Sequence, residues 1–392
     1  MEQEISLLNE LILKNSKKIL RDLDQAIIDQ IRILIDKIID DTKSKYSTRS
    51  DAENYFLEIY FGDSRIRITD VIASFGTLEQ LNKLINCAGV NLLSLSNRNR
   101  YYPIHHACIN GRTDILKAIV EYDVNRNIVT SPETRAWHSI HFACRYNHLQ
   151  IVKMLINLGV DKEVRTGFGL TPLHVACEFG NLEIVKYLLS INVYKDPITI
   201  DESQNMTPIH YAVLGNFVEI TELLLIVGVN RNKLDLQGYS ALDIASKANF
   251  VEMVKLLLKW GIKNPEASLG IAKAYKSQET AEVIEKYLLA KKNLFNKSNL
   301  KKIAPQIAKM MNEFNPTNLA KGIIKIYDNV EYNAFGINEL SSQIGFFKKR
   351  EVDFTQFVKE LEIIELCEGA DHINEVIVNG QNELAKISLS NI

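Results

Sequence analysis

One four-residue pattern limits what this chain can become. Thr171-Pro172-Leu173-His174 returns as Tyr102-Pro103-Ile104-His105, as His138-Ser139-Ile140-His141, as Thr207-Pro208-Ile209-His210 and, worn down, as Ser240-Ala241-Leu242-Asp243. Counted from the second residue of each tetrad, at 103, 139, 172, 208 and 241, the steps are 36, 33, 36 and 33 residues. A period of this size marks an array of supersecondary units that bury their apolar faces against one another.

The stretch Gly167 to Asn192 shows what one unit does. Proline is tolerated in the first turn of a helix, where its missing N–H has no intrahelical partner to lose, and threonine caps well, so Thr171-Pro172 starts a helix. Leu173, Ala176 and Cys177 fall on one face of it. Gly180-Asn181 ends the run, and Ile184, Val185, Leu188 and Leu189 form the apolar face of a second helix. Two short helices of this kind have nothing of their own to cover that face. A stacked neighbour covers it.

A turn followed by two antiparallel helices, opened by T-P-L-H-x-A, resembles the ankyrin repeat. Five clear units are expected at about 99–131, 135–165, 166–199, 203–233 and 236–264, with the longer spacings absorbed between units around Val129–Glu133 and Asp196–Thr199. The resemblance implies an all-α fold, an ankyrin-repeat solenoid of helix-turn-helix units with short β-hairpin loops, flanked by helical regions. The expected organisation is an N-terminal helical region and linker at 1–50, a degenerate capping unit at 51–98, five repeats at 99–264, capping helices at 265–292 and a mostly helical region at 293–392.

Within 1–40, Leu20, Leu23, Ile27, Ile31, Leu34 and Ile38 recur at helical spacing, widened by Ile28, Ile35 and Ile39. That face packs as a lid on the first repeats, or serves as a coiled coil or an interfacial membrane helix; few heptads and a polar face carrying both charge signs favour the lid. Residues 41–50 read as a polar linker. The segment Thr69–Ile85 scans as a repeat without the tetrad, as expected of a cap. After the last clear repeat, Leu269–Tyr275 and Ala281–Leu289 read as one more helix pair.

Net charge is −2, which gives no sign of a polyanion partner, and the acidic start Met1-Glu2-Gln3-Glu4 is unlike a secretory signal. The expected location is the cytoplasm. Cys108, Cys144 and Cys177 each lie three residues after a tetrad histidine. Neighbouring helices stack about 8–10 Å apart and a disulfide needs Cα atoms within about 7 Å, so these cysteines are read as small buried residues of a reducing compartment. A zinc site fits poorly, since the pattern lapses to His210…Val213 and Asp243…Ser246. No metal or cofactor is expected.

The resemblance assigns His105, His141, His174 and His210 to ordering the turn through backbone hydrogen bonds rather than to catalysis. It also assigns a concave groove to the residues flanking each turn and those ending each first helix. At the turns these are Asn99 and Tyr101, Arg135 and Trp137, Phe168 and Leu170, Gln204 and Met206, and Gln237 and Tyr239. At the helix ends they are Ile109, Arg145, Tyr146, Glu178, Phe179, Leu214 and Lys247. Aromatics, Met and Arg are the residue types enriched at interface centres. The expected function is a non-catalytic scaffold holding a partner protein or peptide in that groove, with no small-molecule substrate and no membrane span. Heavy Ile, Asn and Lys usage beside these repeats is similar to ankyrin effectors of intracellular bacteria, which would place the chain in a host cytosol.

The alternative is that the C-terminal region carries the activity. Ile337–Gly345, a helix over Phe354–Leu366 and a closing stretch to Val378 resemble a winged helix in outline, yet 301–392 holds ten Lys or Arg against thirteen Asp or Glu. That balance argues for a protein-binding rather than a nucleic-acid-binding module. The seven lysines between Lys286 and Lys309, without an acid among them, read as a solvated helical linker. A Cys367/His372 pair is the one hint of an enzyme.

Overall fold

The structure is a computed structural model that describes residues 1–294, apart from 16–21, 63–64, 123, 132–134 and 200–204. The chain divides into two compact units, residues 1–201 and 202–392. Each is described by itself.

The first unit is built from helix pairs. α1 (Glu2–Lys14), α2 (Gln25–Lys45) and α3 (Arg49–Glu58) precede them. The pairs are α4 (Ile68–Phe75) with α5 (Leu78–Ala88), α6 (Pro103–Ile109) with α7 (Thr113–Glu121), α8 (Ser139–Arg145) with α9 (Leu149–Asn157), and α10 (Pro172–Glu178) with α11 (Leu182–Ser190). First helices stack in the row α4, α6, α8, α10, and second helices in contact with them follow, α5 on α7 and α9 on α11. The second unit repeats the arrangement with α12 (Pro208–Leu214) and α13 (Val218–Ile226), α14 (Ala241–Lys247) and α15 (Val251–Lys259), and α16 (Pro265–Ala274) and α17 (Gln278–Leu294). The fold is all-α and of the ankyrin-repeat type, and α6 to α15 form five helix pairs.

Each pair from α6–α7 onward is stapled by one turn. After the first helix a residue with left-handed backbone follows, Gly111, Asn147, Gly180, Asn216, Asn249 or Lys276, with φ between 55° and 71°. Glycine and asparagine tolerate that region best. The next residue then donates its N–H back to the conserved-pitch alanine of the helix, His148 to Ala143 at 2.9 Å and Asn181 to Ala176 at 3.0 Å. The second helix therefore returns antiparallel, burying Ile151, Val152 and Leu155 in one pair and Ile184, Val185 and Leu188 in the next.

Three features differ from the sequence-based expectation. The fingers between units contain no regular strand among the described residues. The pairing reduces to a single bridge, Val129 with His138, and to turns closed by single bonds such as Thr166 N–H to Leu170 O at 2.9 Å and Asp235 N–H to Tyr239 O at 2.9 Å. The stretch 41–50 is mostly helical as well, because α2 continues to Lys45 and the Thr48 hydroxyl caps α3 by accepting from Asp51 N–H at 3.1 Å. Finally, the first cap does possess a tetrad. Arg67-Ile68-Thr69-Asp70 occupies that place, and Asp70 Oδ2 accepts the Arg67 N–H at 3.0 Å. Asp243 performs the same task for Ser240 at 2.8 Å.

The apolar face of α2 is covered: Ile28, Ile31, Ile35, Ile38 and Ile39 are buried where α2 packs on α1, α4 and α5. Gln80 donates to Arg32 O at 2.7 Å, and Lys83 pairs with Asp36 at 3.1 Å, which fixes α2 on α5. This face has no room left for a coiled-coil partner or a membrane. None of the described helices is long and apolar enough to cross a membrane.

Candidate functional site

Three of the fingers are ordered from within. Asn97 Oδ1 accepts the N–H groups of Asn99 and Tyr101, both at 3.0 Å; Thr166 Oγ1 accepts Leu170 N–H at 3.1 Å; Asp235 Oδ1 accepts those of Gln237 at 2.9 Å and Tyr239 at 2.8 Å. Such side-chain acceptors fix a turn without a partner strand. The tetrad histidine then ties the finger to its helix. His105, His141 and His210 each accept the N–H of their N-cap residue on Nδ1, at 3.2, 3.1 and 3.1 Å. Nε2, which must then carry the proton, donates to the carbonyl of Ile128, Val164 or Lys233 in the following finger, at 3.0, 3.1 and 3.0 Å. Burial holds His105 and His141 far below the ordinary histidine range, at about 3, so both stay neutral donors at physiological pH. These histidines are structural, as the resemblance implied.

Successive fingers of the first unit touch at their tips. Ser131 N–H donates to Asn99 O at 3.3 Å and Gly167 N–H to Arg135 O at 2.7 Å. A Cβ at Gly167 would lie 3.1 Å from that same oxygen, so glycine is what permits the approach. Asn99, Arg135 and Phe168 therefore stand in consecutive, bonded loops, and all three are exposed.

Behind the tips runs a chain of rings. Tyr101 packs on Phe142 with centroids 5.4 Å apart, and Phe142 on Trp137 at 5.2 Å. Arg145 closes the chain: its guanidinium carbon lies 5.6 Å from the Trp137 ring, 5.6 Å from Tyr146 and 4.8 Å from Phe179. Arg135 stacks likewise on Phe168 at 5.1 Å. Contacts of this kind hold a cation in place while leaving its in-plane N–H groups free to reach a ligand. Burial raises the Tyr101 hydroxyl and the Glu178 carboxyl above their usual values, the latter against the pull of Arg145 and Arg135.

The second unit carries a smaller cluster in the same positions. Lys247 Nζ sits 5.3 Å from the Tyr239 ring and 4.6 Å from Tyr275. A hydrogen bond between the two tyrosine hydroxyls raises Tyr239 and lowers Tyr275. Around it Leu214, Leu234 and Leu236 are exposed, by 49, 50 and 54 %.

The expected groove residues separate into three sets. Asn99, Arg135, Arg145, Phe168, Phe179, Leu214, Gln237 and Lys247 are exposed, and Tyr101, Ile109, Tyr146, Glu178 and Tyr239 are half-buried. Trp137, Leu170 and Met206 are corrected: they are buried, only 4, 4 and 6 % exposed. Each immediately precedes a tetrad, and the backbone bonds that close the finger turn this position down onto the helices. Trp137, for example, donates its N–H to Thr130 Oγ1 at 2.9 Å. Trp137 is thus the floor of the ring chain and not part of its open face. Gln204 lies outside the described residues, as do Cys367, His372, the winged-helix outline and the lysines beyond Lys292.

Two contributors were missed. Phe142 follows a tetrad histidine and joins Tyr101 to Trp137. Tyr275 ends α16 in the place that Tyr146 and Phe179 hold in α8 and α10. Aligning Ala272-Lys273-Ala274-Tyr275 with Ala143-Cys144-Arg145-Tyr146 would have found it.

Cys108, Cys144 and Cys177 are free and fully buried, and burial pushes their thiols well above the ordinary range. Thiols held protonated are poor nucleophiles and poor metal ligands.

With this geometry established, comparison with known proteins gives a direct match. A family model described as ankyrin repeats in three copies matches residues 70–166, 126–198 and 195–267, together 198 of the 392 residues. No curated protein matches the sequence. Solved structures that match include the human ASB11 ankyrin repeat domain, which is 29% identical, covers 48% of this chain and 84% of that one, and has a TM-score of 0.43.

Proposed function

This chain belongs to the ankyrin-repeat family, and from that premise we propose that it is a binding scaffold which holds a folded protein or an extended peptide against the finger tips and first-helix ends. Ankyrin repeats are protein interaction modules and typically non-catalytic. One observation supports the placement here. In the first unit the exposed Phe168 and Phe179, the half-buried Tyr101 and Tyr146, and the two stacked arginines gather on one surface that the described residues leave open. Large rings and arginines gathered in one place carry most of the binding energy in protein interfaces, and a specific complex buries about 800 Å² on each partner.

The experiment is affinity capture with the full chain beside a Tyr146→Ala, Phe168→Ala, Phe179→Ala variant, quantifying the same co-purifying proteins. Trp137 is left intact because its removal would open a cavity and confuse folding with binding. Loss of one or more partners from the variant, with its thermal melt unchanged, is the expected result. An unchanged set of partners would contradict the groove as binding surface.

A finer reading makes the chain an effector of an intracellular bacterium acting in a host cytosol. It rests on Ile, Asn and Lys usage. Imaging the tagged chain during infection tests it, and retention inside the producing cell would overturn it.

A further inference from the structure

The first unit's surface differs from a generic apolar groove in its charge, and this gives the class of partner. Arg98, Arg100, Arg135 and Arg145 are all exposed. Among the described residues none of the four guanidinium groups forms an ion pair or a hydrogen bond. They are also close together along the chain of contacts: Arg98 and Arg100 flank Asn99, whose carbonyl bonds the finger carrying Arg135, and Arg135 bonds the finger carrying Phe168. Two of them are preset. Arg135 lies on Phe168 and Arg145 among Trp137, Tyr146 and Phe179. Other arginines of this unit are committed to structure, Arg112 to Gly76 O at 2.7 Å and Arg67 to Ser96 O at 3.1 Å. Among the described residues, Glu178 is an acid that faces Arg135 and Arg145, and it is half-buried.

Guanidinium forks held flat against rings favour carboxylates, which they meet with two parallel N–H donors, and the rings beside them accept apolar side chains. We infer that the partner of this surface is an acidic protein segment, in which Asp or Glu side chains meet Arg135 and Arg145 while intervening apolar side chains pack on Phe168 and Phe179. The inference rests on the groove reading above and adds the chemistry of the ligand. Nucleic acid would also be drawn to four cations. It fits less well, because an arginine already stacks on each exposed ring, Arg135 on Phe168 and Arg145 on Phe179, which leaves less ring surface for successive bases.

Fluorescence anisotropy with the full chain tests this using three labelled probes: a short peptide alternating Asp or Glu with Leu or Phe, its twin with Asn and Gln in place of the acids, and an oligothymidylate. At low salt the acidic peptide is expected to bind ~10-fold or more tightly than its amide twin, an advantage that shrinks as ionic strength rises to about 0.15 M. Arg135→Gln with Arg145→Gln should abolish the difference, and Arg145→Lys in place of Arg145→Gln should restore only part of it, since lysine keeps the charge and loses the fork. Equal binding of the two peptides, no binding of either, or oligothymidylate binding as tightly as the acidic peptide would each overturn the inference. Equal binding that is lost in Phe168→Ala, Phe179→Ala removes the acidic partner and keeps the groove. Binding that ignores those rings removes both.

Discussion

The two units use one set of backbone positions and fill them differently. In the first, the residue ending the first helix and its neighbour are Ile109-Asn110, Arg145-Tyr146 and Glu178-Phe179; in the second they are Leu214-Gly215, Lys247-Ala248 and Ala274-Tyr275. With no ring beside it on its own helix, Lys247 leans on Tyr239 and on Tyr275. Gly215 also bars a ring from its position, because a Cβ there would lie 2.1 Å from Phe217. The repeat therefore supplies the positions, and the packing behind each one decides what may occupy it. The first unit presents arginines on rings, and the second presents Leu214, Leu234 and Leu236 around one lysine.

The sharpest way to break this comparison is to remove what stands behind the rings. Phe142 is 4 % exposed and joins Tyr101 to Trp137. Phe142→Ala should destabilise the first unit by about 3–5 kcal/mol in urea unfolding. A loss under about 1 kcal/mol would show that the ring chain is not part of that unit's core.

The two tetrads that end in aspartate give a second contrast, and it depends on pH. Asp243 has both oxygens engaged, one by Ser240 and one by Ser268. Asp70, fully buried, has no partner on Oδ1 among the described residues, and burial pushes its carboxyl up to about 8. An unfolded aspartate titrates near ~3.9. Between those values the unfolded chain has released a proton that the folded one keeps, so stability falls as pH rises from about 4 to about 8 and then levels off. Asp70→Asn should flatten that slope and stabilise the chain at pH 8 by on the order of a few kcal/mol. Melts of parent and variant that run parallel from pH 4 to 9 would contradict the buried acid.

A smaller effect tests the barred position. Gly215→Ala should destabilise the second unit by about 1–3 kcal/mol through contact with Phe217, whereas Ala248→Gly, at the matching place one repeat on, should change stability by less than ~1 kcal/mol. Similar losses in both would mean that crowding at Phe217 does not explain the missing ring.

Much of this was readable from the chain. The period, the helix pairs and the buried cysteines follow from apolar spacing and from Pro and Gly at fixed places, all of which are local. What was not readable depends on contacts between units or within fingers. Trp137 was expected in the open because the resemblance assigns the residues flanking each turn to the groove; it is buried, with its N–H held by Thr130 seven residues earlier. Arg67–Asp70 hid as a tetrad because a carboxylate can hold an N-cap amide as well as an imidazole does, with no residue of the pattern kept. Phe142 was passed over because the position after the tetrad histidine carries no fixed residue type, being Val175 and Tyr211 in later repeats.

The most direct measurement is hydrogen–deuterium exchange of the full chain alone and with a captured partner. Slower exchange is expected at the first unit's finger tips and first-helix ends, residues 97–101, 135–137, 145–147, 166–170 and 178–180, with the second helices α7, α9 and α11 unchanged. Protection confined to those second helices, with the fingers exchanging as before, would contradict the account.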